Sequence, residues 1–288
     1  MSMILVQRFL MAFYIITQVN CQEMGKLNVI ADMPSSLKES SGMATYNQKA
    51  VWVVEDSGNH DKIYKVDLSG DIKEELEVKN GKNHDWEDLT TDTNGNLYIG
   101  DFGNNTNKRK NLVIYKLPNP EKENGDKITA EKIEFNYPNQ NKFPPKKSKL
   151  YFDAEAFFHW NGFLYVITKN RSRPYDGKTM LYRLPDKKGE YEATFIAEWT
   201  TCLEQDSCSI TSADISSDGK TIALLSNGLI WLITDFNFEN ILEGNIQQID
   251  LAVRSQLESI CFLDDTTLLL SDERSNHEGG NLYQYTIQ

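Results

Sequence analysis

The stretch His84–Asn105, HDWEDLTTDTNGNLYIGDFGNN, sets the reading of the whole chain. It places three carboxylates (Asp85, Glu87, Asp88) just before an apolar residue, Leu89. A hairpin turn, Asp92-Thr93-Asn94-Gly95, comes next. Asn-Gly between apolar runs is a strong short-range hairpin signal. A buried-type strand, Leu97-Tyr98-Ile99-Gly100, follows and ends at Asp101.

Nearly the same phrase recurs four more times. Ser41-Gly42-Met43 leads to Asp56, Glu155-Ala156-Phe157 to Lys169, Ala213-Asp214-Ile215 to Asn227, and Glu258-Ser259-Ile260 to Asp272. From first apolar anchor to polar terminus the step is 13 residues in the first copy and 12 in the other four. A repeated supersecondary unit marks a repeat architecture. Each of the first four copies continues into two further strand-like segments; in the second these are Leu112–Leu117 and Ile128–Phe135. The last copy supplies three strands, and an orphan strand, Lys26–Met33, stands at the other end of the chain. The pattern predicts an all-β fold, a five-bladed β-propeller of four-stranded blades in which the N-terminal strand completes the last blade. Closure of this kind hides sheet edges. Six blades is the alternative, if Asn119–Tyr151 holds an irregular unit.

Residues 1–21 read as a signal peptide. Arg8 is the only charge before the run Phe9–Ile16, which is too short to span a bilayer, and a polar exit leads to Cys21. Residues 22–288 then form one propeller domain, secreted or periplasmic, with lipid anchoring through Cys21 as the alternative. Cys202 and Cys208 bracket a short polar loop and suit a disulfide in an oxidising compartment. Cys261, between Ile260 and Phe262, reads as a buried thiol. No later segment has the length and apolarity of a membrane span.

With 42 acidic against 30 basic residues the formal charge is −12. That disfavours nucleic acid as a partner. The acids concentrate where the propeller would bring them together. One ring, at the entrance to the inner strands, contains Glu87, Asp88, Glu155, Asp214 and Glu258. A second, after the second strands, contains Asp56, Asp101, Lys169, Asn227 and Asp272. So many carboxylates in a narrow channel need a cation, protonation or open water. Oxygen-only donors fit calcium better than zinc. Glu87, Glu155, Asp214 and Glu258 are therefore the candidate metal ligands. Asp56, Asp88, Asp101, Lys169 and Asp272 are the candidates for meeting a small-molecule, glycan or protein ligand. The architectural alternative is that ring residues hydrogen-bond the neighbouring blade. No nucleophile elbow, phosphate loop or dinucleotide fingerprint is present.

The phrases Glu39-Ser-Ser-Gly, Asp85-Trp-Glu-Asp-Leu, Tyr98-Ile-Gly-Asp-Phe-Gly-Asn-Asn, Asp153-Ala-Glu-Ala and Ser212-Ala-Asp-Ile-Ser-Ser-Asp-Gly resemble a group of secreted bacterial β-propeller proteins of uncharacterised function. More distantly the chain is similar to gluconolactonase/regucalcin-type and phytase-like esterase propellers. The Glu-Gly-Pro entry motif of the lactonases is absent, so their ligand set does not carry over. The resemblance implies a propeller fold and an extracytoplasmic compartment but no established reaction, and a monomer is expected. Two functions are open: a binding module holding calcium, and a metal-dependent hydrolase of a phosphoester, ester or lactone.

Overall fold

The computed structural model describes residues 25–275 and 278–287. The expected signal peptide and Cys21 lie outside the described residues. Strand β1 (Asn28–Asp32) precedes the first blade, which is built from β2 (Ser40–Asn47), β3 (Ala50–Glu55), β4 (Lys62–Asp67) and β5 (Ile72–Lys79). The second contains β6 (Trp86–Thr91), β7 (Leu97–Asp101), β8 (Leu112–Leu117) and, after a short β9 (Lys127–Thr129), β10 (Glu131–Asn136). The third has β11 (Asp153–Trp160), β12 (Phe163–Lys169), β13 (Lys178–Pro185), a short β14 (Gly189–Glu192) and β15 (Thr194–Thr200). The fourth has β16 (Ser212–Ile215), β17 (Ile222–Ser226), β18 (Leu229–Thr234) and β19 (Asn245–Asp250). In the last, β20 (Leu257–Asp264), β21 (Thr267–Asp272) and β24 (Asn281–Thr286) are joined through the two-residue strands β22 (Arg274–Ser275) and β23 (Glu278–Gly279). Strand β1 pairs antiparallel with β24 and completes this sheet. The fold is a five-bladed β-propeller closed by its N-terminal strand.

One expected strand is divided. Ile128–Phe135 breaks at Ala130: β9 runs parallel to β5 on the outer edge of the first blade, while β10 returns to β8 in the second. Strand β14 does the same one blade later, pairing parallel with β10. Two neighbouring blade pairs are thus linked by an outer strand donated from the blade that follows.

The apolar core is divided among the blade interfaces. Among the described residues there are five clusters, one between each adjacent pair, such as Trp52 and Val54 against Trp86, Leu89 and Tyr115, or Tyr98 and Phe102 against Phe157 and Tyr182. Inner strands are packed on both faces, which is why they read as continuous apolar runs rather than as an alternation.

At the axis the inner strands are laced together by polar side chains. Asp88, fully buried, accepts hydrogen bonds from the backbone N–H of Phe157 (3.1 Å) and Ala213 (3.3 Å), from Ser212 Oγ (3.0 Å) and from its own neighbour Leu89 N (2.9 Å). Ser212 Oγ in turn accepts Ile260 N at 3.1 Å. Gly42 completes the ring: a Cβ there would lie 2.6 Å from the Asp88 backbone, so only glycine permits the approach. Asp88, expected to meet a ligand, instead plugs the channel and joins three blades.

This lacing also fixes the register of the fourth copy. Ser212, not Asp214, matches Asp88, since each accepts the N–H of the corresponding residue in the next blade. Asp214 Oδ2 accepts Phe262 N at 2.8 Å, as Thr90 Oγ1 accepts His159 N at 3.2 Å. Asp214 therefore sits two residues deeper than the alignment of the copies implies.

Replacing Asp88 tests the hub. Asp88→Ala removes the acceptor of three buried N–H groups and the Ser212 hydroxyl and is expected to cost about 3 kcal/mol or more. Asp88→Asn keeps an acceptor oxygen and should cost less than half of that. Urea unfolding followed by tryptophan fluorescence measures both.

Candidate functional site

Four of the five inner strands carry a β-bulge at the same place, where the strand enters the channel. The bulged residues are Ser41, Glu87, Glu155 and Glu258; in β16 the corresponding position is Thr211, just before the strand. A bulge re-aims its side chain, and here it points along the channel entrance. Ser41 and Thr211 use the position architecturally, each donating its hydroxyl to the next blade's backbone, at Trp86 O (2.8 Å) and Leu257 O (2.7 Å). The three glutamates cannot donate once ionised, and their carboxylates collect at the mouth.

Glu87 lies at the centre of that collection. It is 7% exposed, and no hydrogen-bond donor among the described residues reaches its carboxylate. Its oxygens form two clusters, each with all ligand atoms within 4.8 Å of one another: with Asp56 and Asp85 on one side, and with Asp153 and Glu155 on the other. Gly103 makes this packing possible, because a Cβ at that position would lie 2.5 Å from Asp85 Oδ2 and overlap Glu87 Oε1.

The two sides differ in charge balance. Glu155 is bonded by Lys169 Nζ and Arg171 Nη2, and Asp153 accepts Arg171 Nε at 2.6 Å and the Asn104 N–H at 2.6 Å. That half is neutralised by the protein itself. Asp56 has only local partners, and neither Asp56 nor Asp85 forms an ion pair among the described residues. The Asp56–Asp85–Glu87 half is the electrostatically open one.

The protonation equilibria follow. Burial, then the charges of Glu155, Asp56, Asp153 and Asp85, holds Glu87 well above the usual carboxylate range. Burial pushes Asp56 up to about 6, Glu273 to about 7 and Glu258 to about 8, the last against the opposing pull of Lys169. Burial alone would lower Lys169, yet Glu155 and Glu258 hold it raised.

The other sequence candidates fall into place around this centre. Glu258 shares the mouth with Lys169 and Glu155. Asp214 does not join the group; it lines a cavity at the opposite end of the channel. Asp101 and Asp272 are buried and held within their own blades. Asp101 accepts from Asp85 N (3.0 Å) and Arg109 Nη2 (2.9 Å), and Asp272 from Asn281 N (2.7 Å) and Tyr283 Oη (2.8 Å). Neither is free to contact a ligand. Glu273, absent from the sequence reading, belongs to the mouth, and so do Asp85 and Asp153, which the sequence sets upstream of the ring and leaning in toward it. Asp85 and Asp153 stood two positions upstream of the recognised acids, and the bulge brings both levels together. Cys202 and Cys208 are bonded, with Cα atoms 5.6 Å apart, and Cys261 is a buried free thiol.

Fold and mouth together define a five-bladed β-propeller with a carboxylate-lined entrance. No protein-family model matches the chain, and no curated protein does. Among solved structures it is similar to the PQQ-bound aldose sugar dehydrogenase (Adh) of Streptomyces coelicolor, with a TM-score of 0.52 and 11% identity over 90% of this chain and 97% of that one. At that identity the likeness is one of propeller fold. No helix among the described residues is long and apolar enough to cross a membrane.

Raised carboxylate pKa values make stability depend on pH with a definite sign. The folded state holds these protons more tightly than the unfolded chain, so the stabilisation is present below about pH 4 and is lost as pH rises through the folded values of about 6 to 8. In chelator, the melting temperature should fall from pH 5 to pH 9. A flat profile would mean that the acids ionise without mutual strain.

Proposed function

We propose that this propeller is a cation-dependent binding module whose entry mouth holds one hard divalent ion, calcium by preference, on Asp56, Asp85 and Glu87. The observation that carries the reading is the Glu87 carboxylate: more than nine-tenths buried, without a donor, and shared between two acid clusters. An unpaired buried charge is costly, and a divalent ion would satisfy it. All three groups offer oxygen, as calcium requires. Lys169 and Arg171 occupy the adjacent acids and confine the open charge to one side. The remaining coordination positions would face the channel opening, where a ligand rich in oxygen donors, such as a glycan or an acidic side chain, could complete the shell.

The expected compartment is extracytoplasmic. Its support is the leader-like start of the sequence and the Cys202–Cys208 bond. Hydrolysis at the ion would need a carboxylate free to act as base, and Glu258, raised to about 8, is the residue this alternative would use. The PQQ of the structural neighbour is not part of either reading.

Calorimetric titration of calcium into chelator-treated protein tests the proposal. Wild type should bind one ion, and binding should tighten as pH rises from 6 to 8, because the ion competes with protons. Glu87→Gln and Asp56→Asn should each weaken binding by roughly tenfold or more. Glu155→Gln should have a smaller effect, since Lys169 and Arg171 already neutralise that acid. Absence of calcium binding by the wild-type protein at pH 8 overturns the reading.

A further inference from the structure

The Asp88 plug divides the channel, and the far end opens into a separate cavity of about 570 Å³ between the hairpins of all five blades. Cavities of this size are typical of small-molecule sites. Its walls carry the carboxylates of Asp92, Asp186, Asp214, Asp264 and Asp265, several hydroxyls and the imidazole of His159; among the described residues no lysine or arginine lines it, although Lys116 pairs with Asp186 from outside the lining. In a chain with 30 basic residues, a wall of that composition is a one-sided charge distribution.

Not all of these acids are available. Asp92 is spent on its own hairpin, accepting from Asn94 N, Asn96 N and Tyr98 Oη. Asp264 and Asp265 accept from Thr266 N and Ser217 Oγ at the outer rim. Asp214 and Asp186 remain deeper in. Asp214 gives one oxygen to Phe262 N. Asp186 Oδ2 accepts from Tyr98 Oη at 3.2 Å, meets His159 Nε2 at 2.9 Å and forms an ion pair with Lys116 Nζ at 3.8 Å, which leaves its Oδ1 for the cavity.

His159 is an independent pointer to a ligand. Its side chain is 8% exposed and its ring lies stacked on Tyr98 at 5.2 Å. One nitrogen is pinned to Asp186, and Nδ1 has no partner among the described residues. A neutral imidazole donating through Nε2 presents Nδ1 as an acceptor. With the aspartates and hydroxyls, the cavity is a surplus of acceptors awaiting donors. An ammonium group is the complement: three donors, no acceptor, and a positive charge drawn by the acids.

We infer that the hairpin mouth is a binding site for a small organic amine carrying more than one ammonium group, held by Asp214 and Asp186 with His159 Nδ1 as a further acceptor. The inference does not depend on calcium at the entry mouth.

The two acidic mouths are told apart by variants. Putrescine and spermidine are titrated calorimetrically into the full protein, into Glu87→Gln and into Asp214→Asn, with glycerol and glucose as neutral probes. Spermidine should bind wild type and Glu87→Gln alike, and Asp214→Asn should weaken it by roughly tenfold or more. Asp186→Asn should do the same, and a cooperative urea unfolding transition in both aspartate variants reports that they are folded. Three results overturn the inference: no amine binding to wild type, loss in Glu87→Gln with retention in Asp214→Asn, or neutral probes binding as tightly as spermidine.

Discussion

Five twisted sheets can surround an axis only if their innermost strands approach closely, and that approach strips water from polar backbone at the centre. The chain meets this constraint with one buried carboxylate. Asp88 collects N–H groups from the third and fourth blades and a hydroxyl from Ser212, which passes the link on to the fifth through Ile260. Gly42 lets the first blade lie against the same residue. Buried N–H groups left unpaired would each cost on the order of 1–3 kcal/mol. The rest of the propeller, the five interface cores included, rests on the axis being closed in this way.

The same closure gives the molecule two chemically distinct ends. At the entry end the bulged glutamates and their neighbours form an acid group half neutralised by Lys169 and Arg171 and half left open. At the hairpin end the acids stand around an imidazole, and among the described residues the one wall acid paired with a lysine is Asp186, through Lys116. Both ends are negative, yet they differ in what they lack. The first lacks a counter-ion at a point, and the second lacks donors across a surface.

The architecture was legible because its signal is repetition. Five anchors with their following strands give the blade count, and the surplus strand Lys26–Met33 gives the closure realised by β1 and β24. The register of the fourth blade was not legible. Its true anchor, Ala213, is small, and Ile215 two residues later looks the more convincing apolar residue. The polar Asp214 beside it mimics an entrance acid, while Ser212, the real counterpart of Asp88, carries no charge to draw notice. The site was legible in its acid content but not in its pairing. A bulge adds a residue without marking the sequence, so spacing sets Asp85 and Asp153 upstream of the ring and leaning in, but does not show their grouping around Glu87. Burial, which separates Asp101 and Asp272 from a ligand-facing role, depends on tertiary packing that no local pattern encodes. The transfer of β9 and β14 to neighbouring blades has the same character, for a strand's partner is chosen by the assembled rim.

The seam in the last sheet sets an order of events. Strand β1 is the earliest of the described strands to be made, while its partner β24 is the latest. On a ribosome, four blades can assemble hairpin by hairpin while β1 waits without its strand partner. Until β24 emerges, the growing ring is an open arc with two bare edges, and such edges recruit other chains. The short donated strands β9 and β14 cover the outer rim of the first two blades early in that interval. Escape from aggregation is therefore a race, run between the departure of the last hairpin and the arrival of a stranger at the gap.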